Sequence, residues 1–125
     1  MSDDFTLVRA DDVRSFTPEA GMVRQVLAHN PKLMLIRHFF DKGWEGARHS
    51  HPHEQLVYVV SGKLHVDVAG RIFDVGSGGS FVVEGNVEHQ AWALEASEVL
   101  DVFTPVREDY VELIKASVPR KSVAD

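Results

Sequence analysis

The chain of 125 residues contains no cysteine, so disulfides and thiolate metal sites are both excluded. Any bound metal must then rest on imidazole, carboxylate, amide or water. No apolar run approaches the roughly 20 residues that a membrane-crossing helix needs. Basic residues are few and unclustered: 13 Lys and Arg stand against 19 Asp and Glu, for a net charge of −6. That balance argues against a nucleic-acid partner and predicts no membrane association. Residues 1–6 show neither a basic stretch nor an apolar stretch of the kind that directs export, so a cytoplasmic location is expected. Low-complexity segments and long linkers are absent too, which predicts one domain over 1–125. Its core spans about 22–106, with an N-terminal arm at 1–21 and a C-terminal helix and tail at 107–125.

What is present reads as short strands. With 44% hydrophobic residues the chain can bury a real core, and it is not compositionally disordered. Met22 to Ala28 and Leu33 to Phe40 flank the turn residues Asn30-Pro31. Gln55 to Val60 is rich in strand formers. Lys63 to Val68 alternates cleanly, with Leu64, Val66 and Val68 on one face. Arg71 to Val75, Ser80 to Val83, Gln90 to Leu94 and Glu98 to Thr104 follow at similar spacing, and Arg107 to Ala116 has near-helical apolar spacing. The tail after Pro119 is expected to fray. Many short strands with one helix predict an all-β, antiparallel sandwich or barrel.

The chemistry concentrates in His49-Ser-His51-Pro-His53-Glu-Gln55. Side chains alternate faces along extended backbone, so His49, His51 and His53 point to one side. Neutral imidazole is the commonest protein ligand for a divalent metal. His49 and His51, with Gln55 shortly after, make a candidate site, and His89 is the best-placed further ligand. A shifted pair, His51 and His53, would put Val57 or Tyr58 where a ligand is needed, so His53 is expected to point outward or bond locally. His29, His38 and His65 have no convergent partner in sequence and read as surface or satisfied core residues. Trp44 and Trp92 could line a mouth or simply pack. On the strand from Glu98, Asp101 and Phe103 share a face with Val99, and an acid on an inward face needs a partner or a job.

The spacing Gly43, His49, His51, Gln55, Gly62 matches the cupin pattern G-x5-H-x-H-x3-E-x6-G, with Gln at the acidic position. The second cupin pattern is matched at Gly78 and His89, while Glu84, Asn86 and Ala93 replace its Pro, Gly and Asn. The runs His49–Gly62, Gly85–His89 and Leu100–Asp109 together resemble the KdgF family of pectin-degradation cupins. That resemblance implies a single-domain double-stranded β-helix, a jelly-roll barrel with its site inside and a short C-terminal helix. It implies His49, His51, Gln55 and His89 as ligands of one divalent transition metal (Ni, Zn, Fe, Co, Cu or Mn). It also implies Asp101 and Arg107 as catalytic groups, with Phe103 and Arg107 at the substrate. The implied reaction is ring opening of 4,5-unsaturated uronates to linear 4-deoxy-5-ketouronates, on a small unsaturated sugar acid, in a homodimer. Two other classes fit a cupin: a dioxygenase using redox-active iron, and a non-catalytic ligand-binding module.

Overall fold

The structure, a computed structural model, describes residues 4–117. After a short 3-10 turn at Ala10–Asp12 come nine strands: β1 (Ser15–Glu19), β2 (Met22–Asn30), β3 (Leu33–Phe40), β4 (Glu54–Ser61), β5 (Lys63–Val68), β6 (Arg71–Gly76), β7 (Ser80–Val83), β8 (His89–Ala93) and β9 (Ser97–Thr104). A helix, α1 (Glu108–Ser117), closes the described chain. All-β architecture with one short C-terminal helix is what the turn spacing predicts. The arm contains β1 and the 3-10 turn. The expected fraying after Pro119 lies outside the described residues. No helix among those residues is long and apolar enough to cross a membrane.

The strands form two antiparallel sheets, one ordered β1-β2-β3-β9-β4-β7 and one ordered β6-β5-β8. Their inner faces enclose two clusters. The first joins Met22, Phe40, Val57, Val59, Leu64, Val66, Ala93 and Val99 between the sheets. The second joins Val26, Met34, Ile36, Phe103 and Val106 beneath Tyr110, Val111 and Ile114 of α1. Burying Phe103, Met34 and Ile36 fully contributes roughly 1.5–3 kcal/mol each. The helix therefore covers one end of the barrel, which explains its apolar spacing.

Two glycines hold the frame. Gly62 turns β4 into β5 with φ +92, and a Cβ there would lie 2.2 Å from Ser97 Oγ. Gly85, in the loop before β8, has no room for a Cβ because the carbonyl oxygen of Pro52 would be 2.5 Å away. That contact presses the 84–88 loop onto the histidine loop, and the Asn86 N–H donates to the carbonyl of His51.

Candidate metal centre and cavity

The loop from 41 to 53 lies along β8. His49 and His89 form an isolated antiparallel bridge, exchanging N–H···O bonds of 3.0 and 2.9 Å. This sets a histidine from the large-sheet side against one from the small sheet. His51 follows two residues on, and the ligating atoms of His49, His51 and His89 all lie within 4.8 Å of one another.

Each ring is oriented by its own backbone. Nδ1 of His49 bonds the Ala47 carbonyl at 2.9 Å, Nδ1 of His51 the His53 carbonyl at 3.2 Å, and Nδ1 of His89 the Val87 carbonyl at 2.9 Å. A carbonyl only accepts, so each Nδ1 carries the proton and each Nε2 presents a lone pair. Among the described residues, His89 Nε2 is buried without a hydrogen-bond partner. Burial lowers the pKa of both His51 and His89, with nearby cationic groups reinforcing the shift. Those two rings are thereby held neutral, the form that ligates.

Gln55 completes the donor set. Its Nε2 donates to Asp101 Oδ1 at 2.9 Å, which turns its Oε1 toward His51 Nε2 at 3.0 Å. With His51 protonated at Nδ1, those two atoms face each other as lone pairs. A cation between them satisfies both, so the residues fit a divalent metal held by three imidazole nitrogens and one amide oxygen.

Strand register carries the site inward. Asp101 on β9 is paired with Ile36 on β3 and Val57 on β4, which makes His38 and Gln55 its diagonal neighbours on the inner face. His38 Nδ1 meets Asp101 Oδ2 at 2.8 Å, so each carboxylate oxygen has one donor. Across β2, directly opposite His38, Arg24 Nε donates to His38 Nε2 at 3.0 Å. That bond requires a lone pair on Nε2, leaves the proton on Nδ1, and makes His38 a neutral donor to Asp101. Arg24, His38, Asp101, Gln55 and His51 thus form one row of contacts across four strands and into the loop.

A cavity of about 240 Å³ opens beside this row, lined among others by His49, Gln55, His89, Asp101, Phe103 and Arg107. Ligand pockets for drug-sized molecules start near 300 Å³, so this one suits something no larger than a single sugar ring. Arg107 lies over Phe103 at 5.0 Å and over Tyr110 at 4.1 Å from the ring centres. Burial opposes its charge, but the Asp109 hydrogen bond, with Tyr110 and Asp101, raises its pKa on balance. The hydroxyl of Tyr110 is pushed up by burial, against the opposing pull of Arg24 and Arg107.

The structure thus brings His49, Gln55, His89, Asp101, Phe103 and Arg107 together around one space, with His51 joined to them through His49, His89 and Gln55. It differs from the sequence reading at His53, and it decides what that reading left open at Trp92 and His38. His53 does not point outward: it is half-buried, its ring 6.3 Å from Phe103, because Phe103 on β9 reaches the loop from below. Trp92 is on the outer side of β8, donating to Glu45 and packed on His65, and only Trp44 lines the cavity. His38 is a satisfied buried residue, as expected, but its partner is Asp101 itself. Arg24 and Tyr110 were not singled out in sequence. An arginine in a strand and a tyrosine at helical spacing carry no local sign of facing a cavity.

The model of the cupin domain family matches residues 37–103, more than half of the chain, and the chain belongs to that family. Within the cupins it is KdgF-like. The pectin degradation protein KdgF of Dickeya dadantii (strain 3937) is 31% identical over 93 residues, covering 73% of this chain and 84% of the relative. Two solved structures superpose with a TM-score of 0.80. One is an RmlC-like cupin from Shewanella frigidimarina NCIMB 400, at 36% identity, covering 88% of this chain and 99% of that one. The other is KdgF from Halomonas sp., at 34% identity, covering 85% and 98%.

Proposed function

We propose that this cupin accelerates ring opening of 4,5-unsaturated uronates to linear 4-deoxy-5-ketouronates, at a divalent metal held by His49, His51, Gln55 and His89. One observation carries the reading. Four lone-pair donors converge at the edge of a sugar-sized cavity that also contains a buried, doubly bonded carboxylate, Asp101. The likeness to KdgF proteins selects the substrate class. A cytoplasmic location and pairing of two copies belong to this reading through that likeness alone.

When bound, the metal supplies a Lewis acid toward the substrate's carboxylate and a sugar oxygen. The proton work falls to Asp101. It takes the proton of the anomeric hydroxyl, the bond from C1 to the ring oxygen breaks with its electrons on that oxygen, and C1 becomes an aldehyde. The resulting enolate takes the proton back at C4, leaving the ketone at C5. Nothing is gained or lost overall, so one carboxylate serves both halves. His38 and Gln55 hold that carboxylate in place while its remaining lone pairs face the cavity. Phe103 and Arg107 wall the space and exclude water.

The test follows the ultraviolet absorbance of freshly made 4,5-unsaturated galacturonate with metal-loaded protein, against its spontaneous opening. Acceleration that vanishes in the His49→Ala/His51→Ala protein supports the reading. A rate equal to the spontaneous one, with guluronate-derived monomer inert too, overturns it. Dioxygen uptake would then indicate the oxygenase class.

A further inference from the structure

Two guanidiniums reach the ring of Tyr110, and they are not equivalent. Arg107 lies 4.1 Å from the ring centre and Arg24 lies at the same distance, 4.1 Å. Arg107 is already engaged: its Nε donates to Asp109 Oδ1 at 3.0 Å and its Nη2 to Asp109 Oδ2 at 2.7 Å. That is the bidentate geometry a substrate carboxylate would want, and Asp109 occupies it and cancels its charge. The fork expected of Arg107 toward substrate is therefore taken from within the chain.

Arg24 is half-buried, lines the cavity, and has no carboxylate at ion-pair distance among the described residues. Its Nε is spent on neutral His38, and among the described residues its Nη2 has only the weak acceptor Met22 Sδ at 3.8 Å. The outer edge of the guanidinium is left with donors to spare. A partly desolvated cation without a counter-ion is costly, and an arriving anion relieves that cost. Asp101, the nearest acid along the contact row, is separated from Arg24 by the His38 ring.

We propose that Arg24 is the residue that binds the ligand's carboxylate, setting the cavity's preference for acidic over neutral sugars. Arg107 is the wall of that subsite rather than its fork. The assignment rests on the uronate reading for the identity of the natural ligand, but the preference itself can be measured with saturated sugars that do not react.

The experiment titrates metal-loaded full-length protein with galacturonate and with galactose by calorimetry, for the parent, Arg24→Gln, Arg24→Lys and Arg107→Gln. Metal content and thermal unfolding are checked for each. A charge-assisted hydrogen bond predicts that the parent favours galacturonate by about ten- to hundredfold. Arg24→Gln should bring the two sugars close to parity, Arg24→Lys should keep part of the preference, and Arg107→Gln should keep most of it. With the unsaturated substrate, Arg24→Gln should raise KM by a similar factor. A parent with no preference, or an Arg24→Gln protein that keeps the parental ratio, overturns the assignment. A preference that depends on Arg24, in a protein that does not accelerate ring opening, leaves the subsite standing and removes the reaction. Acceleration with the preference intact in Arg24→Gln does the reverse.

Discussion

The side-chain nitrogen of Gln55 donates to Asp101 at 2.9 Å, and this one bond orients both the amide oxygen and the carboxylate. It links the metal-facing donors to the proton-handling acid through a neutral residue. A glutamate at 55 would place a second negative charge against Asp101 and remove the donor. In metal-free protein, Gln55→Glu should therefore lower stability by about 1–3 kcal/mol, measured by denaturant unfolding. An unchanged midpoint would show that the bond to Asp101 contributes nothing to the fold.

His38 sits between Arg24 and Asp101 with only 6% of its surface exposed. His38→Leu leaves the Arg24 Nε–H and Asp101 Oδ2 without partners and should cost about 1–3 kcal/mol. Because Asp101 shares that bond, Asp101→Asn and His38→Leu should be non-additive by roughly 0.5–3 kcal/mol in a double-mutant cycle. Strict additivity would contradict the contact.

Gly85 leaves no space for a side chain against Pro52. Gly85→Ala should push the loop bearing His51 outward and weaken metal binding by about ten- to hundredfold, the usual size for groups that support ligands. Competition with a metal-indicating dye measures this directly, and parental affinity would show that the loop yields freely.

Asp109 lies below its ordinary carboxylate pKa of 3.8, chiefly through its hydrogen bond from Arg107. A folded value below the unfolded one means stability present above 3.8 and lost as pH falls through the folded value. The Asp109 side chain is 60% exposed, so the contribution should be no more than about 1 kcal/mol. Parent and Asp109→Asn should differ by a constant amount from about pH 5 to 7, and the gap should close in stronger acid. A gap that persists there would trace the stability to helix-end hydrogen bonding instead of charge.

The strands most legible in the sequence are those where local alternation and turn chemistry agree. Leu33–Phe40, Lys63–Val68 and Ser80–Val83 have the bounds the pattern predicts. β2 runs on to Asn30 because the Asn30 side-chain oxygen itself accepts from the Lys32 and Leu33 N–H groups, so the turn begins later than Ala28 suggests. The histidines of the centre were legible because spacing brings two of them together and the family pattern supplies His89. His38 was not, because it meets Asp101 across 63 residues through the β3–β9 register, and no local pattern encodes a diagonal neighbour. Arg24 is one strand further away again, and its lack of an acidic partner is visible only once the strands are aligned.

The bridge between His49 and His89 has a mechanical consequence. It is the seam where the histidine loop meets the small sheet, and a metal there would act as a rivet through both. Occupancy should then be readable far from any substrate. Deuterium uptake at the His49 and His89 amides, which exchange only when the seam parts, should slow on loading in step with the metal bound. The centre would serve as its own latch, and stripping the ion would loosen the barrel along that seam first.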